Sequence, residues 1–155
     1  MKLPIRPLII ACLCVPGVAL AAGDSSPAVA ADPVLERVST ATARKDWPAA
    51  QSILKDAVAK QPANADYHTL YAYSIRKGAN PDMSLVFKHY NEALRIDPKH
   101  RGAHEYIGEA YLMVGNLPKA KEHLSELDRL CFLPCSEHSD LKKAVAEFER
   151  NRVAR

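Results

Sequence analysis

His100 to Leu130 reads HRGAHEYIGEAYLMVGNLPKAKEHLSELDRL, two amphipathic helical stretches joined by one short turn. In the first, Ile107, Gly108 and Tyr111 recur at helical spacing and share one face, which serves for packing. An interior glycine costs a helix roughly 1 kcal/mol against alanine, so Gly108 marks a close approach by a second backbone, that of the helix that follows. The turn is carried by Gly115 and Asn116. Glycine suits the left-handed position that ends a helix, asparagine suits the N-cap, and Pro118 suits the first turn of the next helix. Ala120, Leu124 and Leu127 then form the apolar stripe that lies back on the first helix.

The same arrangement stands twice more upstream. Ala50, Val86 and Ala120 open the stripe of each second helix, 36 and then 34 residues apart, and Ala57, Ala93 and Leu127 repeat the intervals. Val38, Ala72 and Gly108 occupy the crossing point, 34 and then 36 apart. The extra residues of the middle copy therefore lie between Ile75 and Val86, in the turn that bears Gly78, Asn80 and Pro81. Self-similarity at this period means stacked helical hairpins, each burying a flank that it cannot bury alone.

His104-x2-Ile107-Gly108-x2-Tyr111 followed by Ala120-x3-Leu124 resembles the tetratricopeptide signature, without its tryptophan and its closing proline. The second copy runs His68-x2-Tyr71-Ala72-x2-Ile75, then Val86-x3-Tyr90, Ala93 and a closing Pro98. The first departs in its opening helix, where Arg37 and Val38 stand at the aliphatic and glycine positions, but matches in Ala50-x3-Leu54-x2-Ala57-x4-Pro62. The resemblance covers residues 33 to 130. It implies an all-α, short right-handed helical solenoid of three tetratricopeptide-like repeats, at about 33–62, 65–98 and 101–130.

Caps set the helix boundaries. Asp32 with Pro33, Asp46 with Pro48 and Asn80 with Pro81 each pair a side-chain acceptor with a proline in the first turn. Pro62 and Pro98 end second helices. Helices are expected at about 33–44, 47–60, 64–77, 81–96, 101–114 and 117–130. A seventh is expected at about 136–151, where Leu141, Val145 and Phe148 make a stripe and Lys142, Lys143, Glu147 and Glu149 a polar outside. It would cap the solenoid, whose last repeat otherwise exposes an apolar flank. The repeat domain is thus expected over 33–155.

Residues 1–21 read as a signal peptide: Lys2 and Arg6 give a basic start, Pro7 to Leu20 an apolar run, and Ala19-Leu20-Ala21 a small-x-small cleavage site. Lipoprotein anchoring at Cys12 is the weaker alternative, because the apolar run before it is short and the better cleavage site follows it. Export to the periplasm is expected, with no stable membrane anchor after cleavage. Residues 22–32 read as a flexible leader. The formal charge of +3 falls by two on loss of Lys2 and Arg6, and the remaining cations are interleaved with acids on every helix. No basic stripe or aromatic platform invites nucleic acid.

Cys131 and Cys135 are the cysteines left after cleavage, and an even pair in an exported chain is first a disulfide. The alternative is a metal-handling or redox-sensing segment in which Cys131, Cys135 and His138 hold one soft ion, although three ligands without an obvious fourth is a weak pattern. The spacing argues against a c-type haem site. His68 and His104, at the tryptophan position, read as structural; His89 and His123 read as flank or surface positions, and His100 as a surface residue at a helix start. No nucleophile–base pair, phosphate loop or carboxylate pair in a pocket appears. No catalytic residue is assigned, no cofactor is called for, and Glu105 with Glu109 reads as a solvated face.

Tetratricopeptide proteins are typically non-catalytic scaffolds, and the resemblance implies a concave groove, lined by the first helix of each copy, for a peptide or partner protein. If Ile107, Gly108 and Tyr111 face the paired helix, then Glu105, Glu109 and Leu112 face away from it, as Thr69, Tyr73 and Arg76 do one copy earlier. Those six are the expected groove residues. Their mix suits a short peptide with a basic and an apolar residue, and the lysine and asparagine clamp that some family members use for a terminal carboxylate is not recognisable.

Overall fold

The computed structural model describes residues 32–153 as seven helices. They are α1 (Pro33–Ala43), α2 (Trp47–Lys60), α3 (Ala65–Arg76), α4 (Met83–Ile96), α5 (Arg101–Met113), α6 (Leu117–Leu130) and α7 (Ser136–Val153). The expected signal peptide, most of the leader, and Cys12 lie outside the described residues. None of the described helices is long and apolar enough to cross a membrane.

Side chains at the helix starts satisfy amides that have no partner inside the helix. Asp32 accepts from the amides of Val34 and Leu35, Asp46 from that of Ala49, Asn64 from that of Tyr67, and Asn116 from that of Lys119. Gly115 takes the left-handed conformation at φ +77°. The helix after the long middle turn corrects the expectation: it starts at Met83 rather than Pro81, because the Asp82 carboxylate, not Asn80, accepts from the amides of Ser84 and Leu85. Pro81 therefore precedes the cap. His100 is a cap too, its Nδ1 accepting from the Ala103 amide at 3.1 Å.

Three core clusters follow one rule, each filled by a hairpin and closed by the next first helix. Val38, Leu54 and Ala57 are completed by Tyr67 of α3. Ala72, Ile75, Val86 and Tyr90 are completed by Ile107 and Ala110 of α5. Ala120 and Leu127 are completed by Leu141 and Val145 of α7. The cap helix thus stands where the first helix of a fourth repeat would stand, packed on both α5 and α6. Without it the last cluster would face water.

Two readings of the repeat change. Val38 is no misfit: it is 1% exposed, and α1 is further fixed by the Tyr67 hydroxyl, which donates to Asp32 Oδ2 at 2.6 Å. The irregular residue of the first copy is Lys45, at the position equivalent to Gly115, where it adopts φ 56°, a conformation that disfavours a residue with a Cβ. Gly108 does mark a close approach, but by α7 rather than by α6. A Cβ built there would lie 2.6 Å and 2.8 Å from the two δ-carbons of Leu141.

Candidate partner-binding groove

The first helices stand side by side, α3 against α5 and α5 against α7. Along α3 and α5 the side chains facing away from the second helices meet one another. Tyr73 and Tyr106 have ring centroids 4.8 Å apart, and Trp47, at the start of α2, meets Tyr73 edge-on at 5.9 Å. The Arg76 guanidinium lies 5.5 Å from the Tyr73 ring centre and 5.9 Å from that of Tyr106. Lys77 reaches the same Tyr73 ring at 5.9 Å. Both residue identity and helical spacing produce this ladder: Tyr73 and Arg76 are three apart on one helix, and Tyr106 faces them from the next.

Arg76 is not a free cation. It is 7% exposed, its Nη2 donates to Glu109 Oε2 at 2.6 Å and its Nε donates to the Tyr90 hydroxyl at 3.4 Å. Burial works against its charge, whereas Tyr90 and Glu109 favour it, and the balance raises its pKa. A buried guanidinium with these partners ties α3 to α4 and α5.

The six expected groove residues therefore divide. Tyr73, Glu109 and Leu112 are half-buried and border the surface. Thr69, Arg76 and Glu105 are buried. Thr69 Oγ1 lies 3.5 Å from His100 Nε2, which also meets Asp66 Oδ1 at 3.0 Å. Leu112 borders a second recess, shared with Met113, Phe148 and Arg152, between the far ends of α5 and α7. Glu105 is no solvated face residue. At 8% exposed it has no hydrogen-bond or ion-pair partner among the described residues, and burial first, then the Glu109, Asp140 and Glu137 charges, push its carboxyl up to about 7. Trp47 and Tyr106 are the ladder members that sequence reading missed. Tyr106 could have been found by pairing position with position across adjacent copies.

The histidines correct another expectation. His89 is buried and His123 half-buried, and each faces the histidine at the tryptophan position of its own copy. Nδ1 atoms of His68 and His89 are 2.9 Å apart, and those of His104 and His123 3.0 Å. In both copies the other nitrogen of the first histidine meets the carbonyl of a proline six residues earlier, Pro62 at 3.1 Å and Pro98 at 3.0 Å. A carbonyl only accepts, so Nε2 carries the hydrogen there. Nδ1 of the same neutral ring must then accept, and His89 or His123 donates to it. Sequence spacing did not reveal these pairs because each joins two helices.

Cys131 and Cys135 are joined as a disulfide, with Cα atoms 5.9 Å apart. The bond closes a small ring whose outer residues are Phe132 and Leu133, exposed at 98% and 72%. While the bond stands, neither sulfur is a thiolate able to ligate a metal. His138 Nε2 instead lies 3.7 Å from Asp128 Oδ1, and the described residues hold no group of three or more ligands placed for an ion.

No protein-family model and no curated protein matches the chain. Solved structures do. The chain is similar to the TPR2B domain of yeast Sti1, solved as its pHsp70 complex, at TM-score 0.68 and 16% identity over 77% of this chain and 95% of that one. It is similar to the Sgt2 TPR domain of Aspergillus fumigatus at TM-score 0.67 and 19% identity, over 83% of each chain. The type III secretion translocator chaperone SycD of Yersinia enterocolitica gives 0.65 and 11%, over 78% of this chain and 82% of that one. The chain has the tetratricopeptide fold, an all-α helical repeat solenoid.

Proposed function

We propose that this tetratricopeptide solenoid is a non-catalytic adaptor of the bacterial periplasm that holds a peptide or a segment of a partner protein along its first-helix face. The observation that carries the reading is the ladder of Trp47, Tyr73 and Tyr106 beside the Arg76–Glu109 pair. Half-buried aromatic rings on rigid helices offer contact area at little loss of side-chain freedom, which is what recognition surfaces use. The Sti1 domain was solved as a complex, and the fold is shared with it. Periplasmic placement is carried by the N-terminal apolar run and the cysteine pair.

An array of twelve-residue peptides of varied composition tests the adaptor reading. The wild-type protein should retain a subset with a shared pattern, and the Tyr73→Ala/Tyr106→Ala variant should retain the same peptides about tenfold more weakly, the loss of one or two aromatic contacts. Because Glu109 holds the buried Arg76, it is left intact so that folding is not disturbed. Retention of no peptide, or equal retention by the variant, would remove this face as the binding site. Intact-mass measurement of protein from the periplasmic fraction tests export and oxidation together. The chain should begin after Ala21 and be two hydrogens lighter than its reduced form; a chain starting at Met1, or two free thiols, overturns the corresponding half.

A further inference from the structure

Within that adaptor reading, Glu105 is the residue without a counterpart. It lies on α5 in the seam with α7, 8% exposed and bonded to nothing among the described residues. A largely buried carboxylate is ordinarily paired, because burying an unpaired charge is costly. Among the described residues no fully buried polar side-chain atom lacks a partner, so the Glu105 oxygens keep contact with solvent at the seam, where an incoming cation can reach them. The charges that act on it come from α5 itself, from α7 and from α3. Glu109 stands one turn along α5, Glu137 and Asp140 act from α7, and Arg76 of α3 is the one cation that counteracts them. Arg76 is already held by Glu109 at 2.6 Å, and Arg101 is 3.7 Å from Glu137 while itself half-exposed. What remains is an acid with no cation of its own, facing further acids across the seam.

Repeat equivalence places this seam on the binding face. Asp140 lies 34 residues after Tyr106, so it holds in α7 the position from which Tyr106 meets Tyr73 one seam earlier. A ligand that lies along the aromatic ladder and continues toward α7 would pass from rings to acids. A divalent ion is disfavoured as the occupant, since the described side chains form no ligand group of three or more. A single extended cation fits the chemistry better: one ammonium or guanidinium can pair with Glu105 and be favoured by the Glu137 and Asp140 charges.

We propose that the seam between α5 and α7 is a recognition pocket for a lysine or arginine side chain of the bound peptide, with Glu105 as its direct partner and Glu137 and Asp140 as the supporting field. The raised carboxyl, pushed up to about 7 by burial and by those acids, adds a signature. A bound cation favours the ionised form, so binding takes up the cation and releases a proton. Affinity for a basic peptide should rise about tenfold from pH 6 to pH 8, the change in the ionised fraction across a midpoint near 7.

The test uses the peptides retained on the array. They should be enriched in lysine or arginine at one position; exchanging that residue for norleucine should weaken binding about tenfold or more, the value of one charge-assisted bond. The Glu105→Gln protein should lose both the enrichment and the pH dependence while still preferring apolar and aromatic neighbours. It removes a buried charge without changing shape, so it should also melt higher than wild type at pH 8, which separates lost recognition from lost folding. Asp140→Asn, at an exposed position, should give a smaller loss in the same direction. Peptides retained without basic enrichment, or enrichment unchanged in Glu105→Gln, overturn the pocket and leave the adaptor reading standing. No retained peptide overturns both.

Discussion

Between pH 6.5 and pH 4 the wild-type protein should lose about 4 kcal/mol more stability than a His89→Gln/His123→Gln variant. Each histidine pair can share one proton between its facing nitrogens, but a second would set two imidazolium rings with nitrogens 2.9 Å or 3.0 Å apart. Burial first, then the facing histidine, lowers the pKa of both His89 and His123 to about 4. In the unfolded chain the same rings take up protons near 6.5. The unfolded state therefore binds more protons in that window, and stability falls with falling pH until it levels near pH 4. Above about 6.5 the pairs contribute no slope. The full shift corresponds to roughly 3 kcal/mol per pair, and the partial exposure of these rings reduces that to about 2.

Glu105 acts in the opposite sense. Its carboxyl is raised to about 7, so its buried charge is relieved as pH falls from 7 toward the ordinary carboxylate range, and that term stabilises the acid side. It is common to both proteins and cancels in their difference. Glutamine at 89 and 123 keeps an amide able to donate to His68 or His104 and does not titrate, so the neutral-pH stabilities should differ by only about 1 kcal/mol. Urea midpoints across pH 4 to 7.5 provide the measurement. Parallel pH profiles for the two proteins would show that the pairs open or rehydrate before they titrate.

Most of the architecture was legible because a repeat states its rule several times. Ala50, Val86 and Ala120 are each fully buried, and their spacing alone located all three second helices. Caps were legible where one acidic or amide side chain precedes a helical stripe. The ambiguous case had two candidates, Asn80 and Asp82, and the structure selects the one whose carboxylate reaches two amides. The groove was less legible for a physical reason. A helical wheel separates the side facing the paired helix from the rest, but first helices also touch one another, and this second contact buries Thr69, Arg76 and Glu105. His89 and His123 were misplaced for a similar reason, since their partners lie on other helices. Lys45 escaped notice because sequence shows a lysine, not the φ of 56° that it shares in kind with Gly115.

Replacing Leu141 by alanine should destabilise the protein by about 3 kcal/mol and reverse the sign of a second substitution, Gly108→Ala. Leu141 is fully buried and is the α7 side chain that closes the last core cluster with Ala120 and Leu127, so its truncation leaves a cavity that rigid helices fill only in part. Gly108 lies directly beneath it. In the wild type a methyl there would sit 2.6 Å from one δ-carbon of Leu141, and the roughly 1 kcal/mol that alanine adds to helix propensity is outweighed by about 2 kcal/mol of overpacking. Gly108→Ala alone should therefore destabilise by about 1 kcal/mol. Once Leu141 is alanine the obstructing atoms are gone, the new methyl enters the cavity, and the same change should stabilise by about 1 kcal/mol. The resulting coupling of about 2 kcal/mol lies well above the error of additive sites and is measurable by urea denaturation of the four proteins of the cycle. Stabilisation by Gly108→Ala in both backgrounds would mean that α7 crosses α5 with slack, and that Gly108 is not what sets the distance of the cap helix.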